Sequence, residues 1–304
     1  MIIDRQRMVG ALVILALITI LMPLTAAADE PLLVVGEVPA AERARLGLAG
    51  FYEQFAAADG IPIVASGRVR PEAVAEATWI VKRLLARRPD VARALAASPV
   101  RVVVMAHDER TTDVPEHADL RPAAHWDRRA RGLGATDARP AVSCGEENLL
   151  CFPGDPYVGE SILVHEFAHT IHEIGLRAVD PMFQPRLDAA FAAAKDRVCW
   201  RNTYALTNAS EYWAEGVQSW LGCNRTGGGI HGEVNSAAAV REHDPPLAAL
   251  LEAVFGGDPW VYTRPADRVP ADMVHLAGFD PDAAPEFDWA KAVSRENRGE
   301  PATP

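Results

Sequence analysis

A short apolar stretch that contains two histidines and a glutamate constrains this chain more than any other segment. It reads Leu-Val-His-Glu-Phe-Ala-His-Thr-Ile over residues 163–171. Apolar residues recur at helical spacing over 159–174, which predicts a helix with one apolar face. His165 and His169 project from the same face of that helix, one turn apart. Because apolar neighbours would bury both imidazoles, the fold has to supply them with a polar partner.

Two imidazoles on one helical face, with a glutamate between them, suit a zinc ion. A catalytic zinc site takes two imidazoles and one carboxylate and keeps a fourth position for water. Glu166 lies beside the histidines, where it can act as the general base on that water. The alternative is a helix with two ordinary surface or core-capping histidines. The apolar flanks weaken that alternative, so we expect one zinc ion bound by His165 and His169.

The third ligand has to come from another part of the chain. A metzincin would continue the motif with glycine and histidine where this sequence has His172 and Gly175. Three imidazoles along one straight helix cannot converge tetrahedrally, so His172 is predicted to be a rim or packing residue. A second predicted helix, 209–221, offers Glu211 and Glu215 one turn apart. One carboxylate could bind the metal while the other supports a metal-bound imidazole.

Glu211 has a second interpretation, because Asn208 stands three residues before it in the pattern of a helix-capping box. That pattern accounts for Glu211. It does not account for Glu215 or for the packing residues Tyr212 and Trp213 beside it. The residues by themselves therefore leave the choice between the two acids open.

Taken together, the two segments resemble the gluzincin metallopeptidase site of the anthrax lethal factor type. The resemblance rests on His-Glu-Phe-Ala-His at 165–169 and on Tyr-x-x-Thr-Asn-x-x-Glu-x-x-x-Glu at 204–215. It covers about residues 160–223, roughly a fifth of the chain. It implies a zincin-like domain whose active-site helix carries the first motif.

The resemblance also implies a role for each matching residue. The zinc ligands are then His165, His169 and Glu211, the general base is Glu166, the oxyanion donor is Tyr204, and the supporting acid is Glu215. A phenol can donate a hydrogen bond to an oxyanion without competing for the metal, although ordinary packing is the alternative for Tyr204. His231 could assist the same oxyanion, but a loop histidine is more often simply exposed. We therefore leave it out of the predicted site.

The first 28 residues have the three-part layout of a secretory signal peptide. Arg5 and Arg7 precede an apolar run over residues 8–24, and three alanines follow at 26–28. We expect cleavage after Ala28 and a secreted, periplasmic or extracellular protein. The alternative is an uncleaved membrane anchor, since the run approaches the length that spans a bilayer.

Four cysteines fit an exported chain, in which an even number predicts disulfides. They are Cys144, Cys151, Cys199 and Cys223. Four cysteines allow three pairings, of which Cys144–Cys151 with Cys199–Cys223 closes the shortest loops. The sequence contains no Cys-x-x-Cys pair, so we do not expect a thiolate zinc site.

The order of the predicted elements favours an α+β fold, mostly helical with a small mixed sheet. Helices are predicted at 40–57, 71–97 with a break at Pro89, 159–174, 185–198, 209–221 and 246–255, strands at 100–106 and 141–143, and a surface loop at 108–139. We expect a single domain over residues 29–304. It comprises an N-terminal part at 29–140, a catalytic part at 141–280 and a flexible tail at 281–304.

These observations favour an exported zinc metallopeptidase that acts on a peptide or protein. A net charge of −11 argues against a nucleic-acid partner, because phosphate binding needs a basic surface. We expect no membrane association unless the N-terminal segment stays as an anchor. Lethal factor acts in a cytosol, so the resemblance does not carry over its substrate. The alternatives are a non-catalytic exported module with structural zinc and a zinc amidohydrolase for cell-wall or other non-protein amides.

Overall fold

A six-stranded mixed sheet forms the frame of the protein, seen here in a computed structural model that describes residues 33–290. Its strands are β1 (Gly36–Glu37), β2 (Gln54–Ala58), β3 (Ile61–Ala65), β4 (Arg101–Met105), β5 (Gly132–Leu133) and β6 (Ala141–Gly145). Their order across the sheet is β1-β2-β3-β4-β6-β5. Strands β3, β4 and β6 run parallel, whereas β1, β2 and β5 pair antiparallel with their neighbours. Strand β5 is therefore an edge strand.

Helices account for most of the remaining regular structure. They are α1 (Ala40–Leu46), α2 (Pro71–Leu85), α3 (Pro89–Ala97), α4 (Ala123–Arg129), α5 (Glu146–Leu149), α6 (Ile162–Thr170), α7 (Arg177–Val179), α8 (Phe183–Asp196), α9 (Ala209–Trp220), α10 (Ala237–His243) and α11 (Pro245–Phe255). Helix α6 continues into a π-helical segment, Ile171–Leu176. The predicted α+β class is thus confirmed, and the described residues all belong to one compact unit.

Alternate residues of the central strands face two different clusters, as the pleat requires. Val102 and Val104 of β4 belong to the larger core, which also contains the apolar side chains of α2, α6 and α9. Val103 and Met105 face a smaller cluster on the opposite side of the sheet. All five residues of β4 are buried, which explains why this strand reads as a continuous apolar run.

Helices α6 and α9 carry the two predicted motifs and are hydrogen-bonded to each other at both ends of their contact. The indole N–H of Trp213 donates to the carbonyl of Ala168 at 2.9 Å. The side-chain amide of Gln218 donates to the carbonyl of Ser161 at 3.1 Å. Ser161 is also the N-cap of α6, where its hydroxyl accepts from a backbone N–H of the first turn. The relative position of the two helices is therefore fixed by specific bonds as well as by packing.

At β5 and just after it, the chain passes so close to α6 that two residues have to be glycine. A Cβ atom on Gly132 would overlap the side chain of Ile162 and lie 3.1 Å from Cγ of Glu166. A Cβ atom on Gly134 would lie 3.0 Å from Cβ of His169. Without side chains, the backbone can approach the helix directly. This approach sets the edge strand beside the histidine motif.

The predicted helix at 40–57 is shorter in the structure, and its second half is strand. Helix α1 ends at Leu46 because Gly47 adopts a left-handed conformation with φ of 61°. Asp59 and Gly60, both with positive φ, then form the tight turn of a hairpin between β2 and β3. The apolar residues on either side of this turn recur at helix-like intervals. Periodicity alone therefore could not distinguish the turn from the end of a helix.

The predicted surface loop at 108–139 is more ordered and more buried than its polar sequence suggests. It contains α4, β5 and Arg131, whose side chain is 1% exposed and pairs with Glu147 at 2.6 Å. The same guanidinium donates to the carbonyl of Ala106 at 2.8 Å. A buried arginine with all its partners inside the protein makes a polar segment part of the core.

The predicted flexible tail at 281–304 packs against the domain in its described part. Phe287 is 4% exposed, and its backbone N–H donates to the carbonyl of Pro153 at 2.8 Å. Residues 291–304 lie outside the described residues, as does the predicted signal peptide at 1–28. Within residues 33–290 the structure contains no helix with the length and apolar character needed to cross a bilayer.

All four cysteines are free thiols, so neither predicted disulfide forms. The expected pairs were Cys144–Cys151 and Cys199–Cys223. Cys144 is buried inside β6, among the apolar residues of the core. The sulfur of Cys151 instead contacts Nε of Arg264 at 3.2 Å. Short sequence separation favoured these pairs, but sequence separation does not fix the direction of a side chain.

Candidate metal centre

Three side chains from α6 and α9 bring one ligand atom each to a common point. Nε2 of His165 lies 3.1 Å from Oε2 of Glu211 and 3.3 Å from Nε2 of His169. Nε2 of His169 lies 3.4 Å from the same carboxylate oxygen. Tetrahedral bonds of about 2.05 Å to zinc would separate neighbouring ligand atoms by about 3.3 Å. The three atoms therefore have the spacing of one face of a zinc tetrahedron, and they are the only such cluster found among residues 33–290.

The regular geometry of two capped helices produces this convergence. His165 and His169 are one turn apart on α6, and their rings lie 4.9 Å apart at an angle of 78°. At the start of α9, Asn208 accepts the backbone N–H of Glu211 at 2.9 Å. The Glu211 carboxylate points to the histidines rather than back to the cap. The capping interpretation thus applies to the backbone of Glu211, while its side chain is available as a ligand.

Gln218 orients the first imidazole. Its side-chain oxygen lies 2.9 Å from Nδ1 of His165, and its amide nitrogen donates to Ser161. Because the Gln218 oxygen can only accept, Nδ1 of His165 carries a proton, which leaves Nε2 as the nitrogen that can bind a metal. Nε2 points toward the cluster, as metal binding requires.

A two-step relay orients the second imidazole. Nδ1 of His169 donates to the hydroxyl of Ser210 at 2.8 Å. The Ser210 hydroxyl in turn donates to Oε1 of Glu173 at 2.7 Å. Glu173 belongs to the π-helical segment that extends α6. The relay directs Nε2 of His169 toward the cluster.

Glu215, which we expected to support a metal-bound imidazole, has a different main partner. It is fully buried, and its Oε1 lies 3.7 Å from Nδ1 of His165, beyond a hydrogen bond. Its carboxylate instead accepts from Nδ1 of His231 at 3.0 Å and from the amide of Asn224 at 3.1 Å. Gln218, not Glu215, is therefore the hydrogen-bond partner of His165.

Glu166, the predicted general base, lines the cleft and has a raised pKa. It precedes the last turn of α6 and lines the same cleft as the three ligand atoms. Burial raises the pKa of its carboxyl group, while the charges of His165 and His169 oppose the rise. A carboxylate with a raised pKa accepts a proton more readily near neutral pH than an ordinary glutamate does.

Tyr204 lines the cleft beside Glu211. Its hydroxyl donates to Oε1 of Glu211 at 3.1 Å, and its backbone N–H donates to the carbonyl of Ile230 at 2.6 Å. Burial, the charge of Glu211 and this hydrogen bond raise the pKa of Tyr204 to about 12. The phenol therefore keeps its proton at neutral pH and remains a hydrogen-bond donor.

His165 and Glu211 form a tightly coupled pair. Burial alone would lower the pKa of His165, but the hydrogen bond with Glu211 and the nearby charges of Glu166 and Glu215 raise it to about 9. Burial alone would raise the pKa of Glu211, but hydrogen bonds from His165 and His169 hold it well below its usual range. A proton and a cation consequently compete for the same nitrogen.

The cluster opens into a cleft of about 680 Å³. The side chains of both histidines are 12% exposed and that of Glu211 is 17% exposed, so a small molecule can reach all three. Strand β5 and the residues around it form one wall. Ile230 and His231 contribute to the lining as well. A cleft of this size is typical of ligand sites, which usually have about 300–1,000 Å³.

His172 is not part of the cluster. Its ring packs against Phe183 and Trp213, with centroids 5.6 and 6.4 Å away. Its Nε2 lies 2.6 Å from the side-chain oxygen of Gln184. The prediction that His172 is a packing residue is confirmed.

The residues that orient the imidazoles, and the histidine that pairs with Glu215, were not predicted from the sequence. Gln218 could have been found from spacing, because it follows Glu211 by seven residues and so shares its helical face. Ser210 and Glu173 gave no such signal, since the π-helical segment changes the register that a regular helix would give Glu173. His231 lies after three glycines, where the sequence offers no periodicity.

Comparison of the chain with protein-family models, with curated proteins and with solved structures finds no match. The function of this site therefore has to be inferred from its own geometry.

Proposed function

We propose that this protein is a zinc-dependent metallopeptidase with a gluzincin-type site that is similar to that of anthrax lethal factor. The observation that carries the proposal is the convergence of His165, His169 and Glu211 on the wall of an open cleft, with ligand atoms 3.1–3.4 Å apart. The α+β architecture with a histidine-bearing helix next to a sheet edge supports a zincin-like domain.

The donor set favours zinc over the other common divalent ions. Two imidazole nitrogens and one carboxylate oxygen suit zinc, whereas magnesium and calcium prefer oxygen ligands alone. In each imidazole, Nδ1 is already hydrogen-bonded: that of His165 to Gln218 and that of His169 to Ser210. A zinc ion held by these residues would supply a Lewis acid that lowers the pKa of water and polarises a carbonyl group.

The remaining polar residues of the cleft can perform the proton transfers of amide hydrolysis. Glu166 would take a proton from the attacking water and deliver it to the leaving amine. Tyr204 would donate its hydroxyl proton in a hydrogen bond to the oxyanion. Its present acceptor, Glu211, lies at the cluster, so the phenol is already close to the reacting atoms.

The edge of the sheet favours a peptide over other amides as substrate. Strand β5 pairs with β6 on one side only and lines the cleft. An extended peptide can add to such an edge through main-chain hydrogen bonds. The exposure of the ligand side chains to this cleft argues against a purely structural zinc site, which has a closed shell of ligands. The N-terminal sequence supports the further proposal that the protein acts after export.

Two variants and a chelator test the proposal. We expect the purified protein to contain one zinc ion, Glu166→Gln to keep the ion and lose peptide hydrolysis, and Glu211→Gln to lose both. Metal content is measured by mass spectrometry and hydrolysis with a quenched fluorescent peptide library. Hydrolysis at the wild-type rate by the Glu166→Gln protein would refute the mechanism. Chelation should abolish activity while circular dichroism stays unchanged, whereas unfolding on chelation would indicate structural zinc.

A further inference from the structure

Arg129 is an exposed cation in the cleft that, within residues 33–290, forms no ion pair with a carboxylate. We propose that it binds a carboxylate of the substrate on the C-terminal side of the scissile bond, an inference that rests on the proposed peptidase function. The carboxylate belongs either to an acidic side chain or to the C-terminus of the peptide. This would make the enzyme selective for substrates with a negative charge just after the cleaved bond.

The other basic side chains of the cleft already have acidic partners. Glu211 contacts both histidines, and Glu215 accepts from His231. Arg225 lies 2.6 Å from Glu160. These pairs leave none of these basic side chains available for an acidic group of the substrate.

Arg129 differs from its neighbouring arginine in the same wall. Arg131 is buried and bound to Glu147, whereas Arg129 is exposed and, within residues 33–290, pairs with no carboxylate. Its guanidinium group lies over the ring of Trp126, 5.6 Å from the centroid. Stacking on an indole holds a guanidinium in place without using its hydrogen-bond donors. Arg129 is thus oriented and free to bind an anion.

The position of Arg129 along the wall predicts which part of a peptide it meets. It is the last residue of α4, three residues before β5 begins at Gly132. A peptide that adds antiparallel to β5 runs in the opposite direction, so its C-terminal half lies at the N-terminal end of this strand. Arg129 lies at that end. It would therefore contact the residues that follow the scissile bond.

The electrostatic effect of Arg129 on the candidate catalytic residues agrees with this position. Burial raises the pKa of Glu166 and of Tyr204, and in both cases the charge of Arg129 opposes the rise. The charge of Arg129 therefore acts on both candidate catalytic residues. A substrate carboxylate bound to Arg129 would lie close to the reacting atoms.

A guanidinium group binds a carboxylate through two parallel hydrogen bonds, which gives geometric selectivity as well as affinity. In a partly solvated cleft such a pair should improve kcat/KM by about fivefold to tenfold. Loss of Arg129 removes this gain, and reversal of its charge should transfer the preference to a basic residue.

Three matched peptides that share one cleavage site separate the two sources of the carboxylate. The first has neutral residues after the scissile bond and an amidated C-terminus, the second adds an acidic side chain within two residues of that bond, and the third has a free C-terminus there. We expect wild type to prefer the second or the third over the first by about fivefold to tenfold in kcat/KM. The preferred peptide shows whether the carboxylate bound by Arg129 belongs to an acidic side chain or to the C-terminus.

Variants then assign the preference to one residue. Arg129→Gln should cleave all three peptides at similar rates, and Arg129→Glu should prefer a lysine-containing analogue. Arg128→Gln is the matched control, because Arg128 is the adjacent exposed arginine of α4 and does not line the cleft. The control should retain the wild-type preference. Zinc content and melting temperature of each variant verify that the site itself is intact.

The failure of this inference is distinguishable from the failure of the proposed function. Cleavage that depends on Glu166 but is equally fast for all three peptides, with or without Arg129, overturns the role of Arg129 and leaves the peptidase proposal intact. A second readout does not require turnover. The affinity of labelled peptides for the Glu166→Gln protein, measured by fluorescence anisotropy, should show the same dependence on Arg129. Equal affinities for neutral and acidic peptides would also refute the inference.

Discussion

Acidification should destabilise this protein through one buried histidine, His117. Its side chain is 1% exposed, and its Nδ1 has no hydrogen-bond partner within residues 33–290. Its Nε2 lies 3.1 Å from the hydroxyl of Ser143, which also accepts the backbone N–H of Leu133 in β5. Burial lowers the pKa of His117 from 6.5 to about 4. This imidazole is therefore neutral in the native state over the whole physiological range.

The sign of the effect depends on which state of the chain, native or unfolded, binds the proton. Above pH 6.5 the imidazole is neutral in both the native and the unfolded chain, so it contributes no pH dependence. Between pH 6.5 and about pH 4 the unfolded chain takes up a proton that the native state does not, so the free energy of unfolding falls as the pH falls. At about 1.4 kcal/mol per pH unit, the loss across this window is about 3 kcal/mol.

Urea denaturation of the metal-free protein at pH 7 and pH 4 measures this loss. Metal-free protein is used so that ion release adds no pH dependence of its own. His117→Gln should lose about 3 kcal/mol less than wild type over the same interval. His125→Gln, at an exposed histidine, should behave like wild type. Identical pH dependence of wild type and His117→Gln would refute the argument.

Three further predictions concern the site. Ser210→Ala and Gln218→Leu should each weaken zinc binding by about 10-fold to 100-fold in competition with a chromophoric chelator, because each removes a partner that orients an imidazole. Because the pKa of metal-free His165 is raised to about 9, zinc binding near neutral pH should release a proton. The apparent affinity should then rise about tenfold per pH unit between pH 6 and pH 8, as calorimetry in buffers of different ionisation enthalpy can measure. Gly132→Ala should lower stability by about 1–3 kcal/mol and reduce hydrolysis, whereas Gly228→Ala in an open loop should change neither.

Each of these has an outcome that contradicts it. Unchanged zinc affinity in both Ser210→Ala and Gln218→Leu would mean that the imidazoles are held by helix geometry alone. A zinc affinity that is independent of pH between 6 and 8 would show that His165 is already neutral in the metal-free protein. If Gly132→Ala is as stable as wild type, the close approach of β5 to α6 is wrong.

The α+β class and most element boundaries could be predicted from the sequence because local chemistry determines them. Pro89 separates α2 from α3 in the structure as predicted, and the β-branched run near residue 102 forms β4. The segment at 108–139 was misjudged because its polar residues, Arg131 above all, find their partners inside the protein. Such partners are distant in sequence, so no local pattern reveals them. The cysteine pairs failed for a related reason, since side-chain direction depends on tertiary packing.

In the site, too, the features set by local spacing could be predicted from the sequence, whereas those set by tertiary contacts could not. His165 and His169 could be placed on one face from their spacing, and the resemblance selected Glu211, which the structure brings next to both. Glu215 lies about one turn before Gln218 in α9, and its carboxylate does not come within hydrogen-bond distance of His165. Gln218, almost two turns after Glu211, bonds to that imidazole instead. The exact rotation of one helix against another decides between such candidates. That rotation is a tertiary property.

If the protein binds zinc as proposed, the distribution of the donors along the chain affects when it can acquire the ion. Two donors are only four residues apart, but the third follows 46 residues after His165 and reaches them only when α6 and α9 have docked. An unfolded chain offers just this imidazole pair at the site, which binds many transition metals with little discrimination. The complete set exists only after folding. The metal supply of the compartment in which folding finishes would therefore decide, together with the donors, which ion the protein contains.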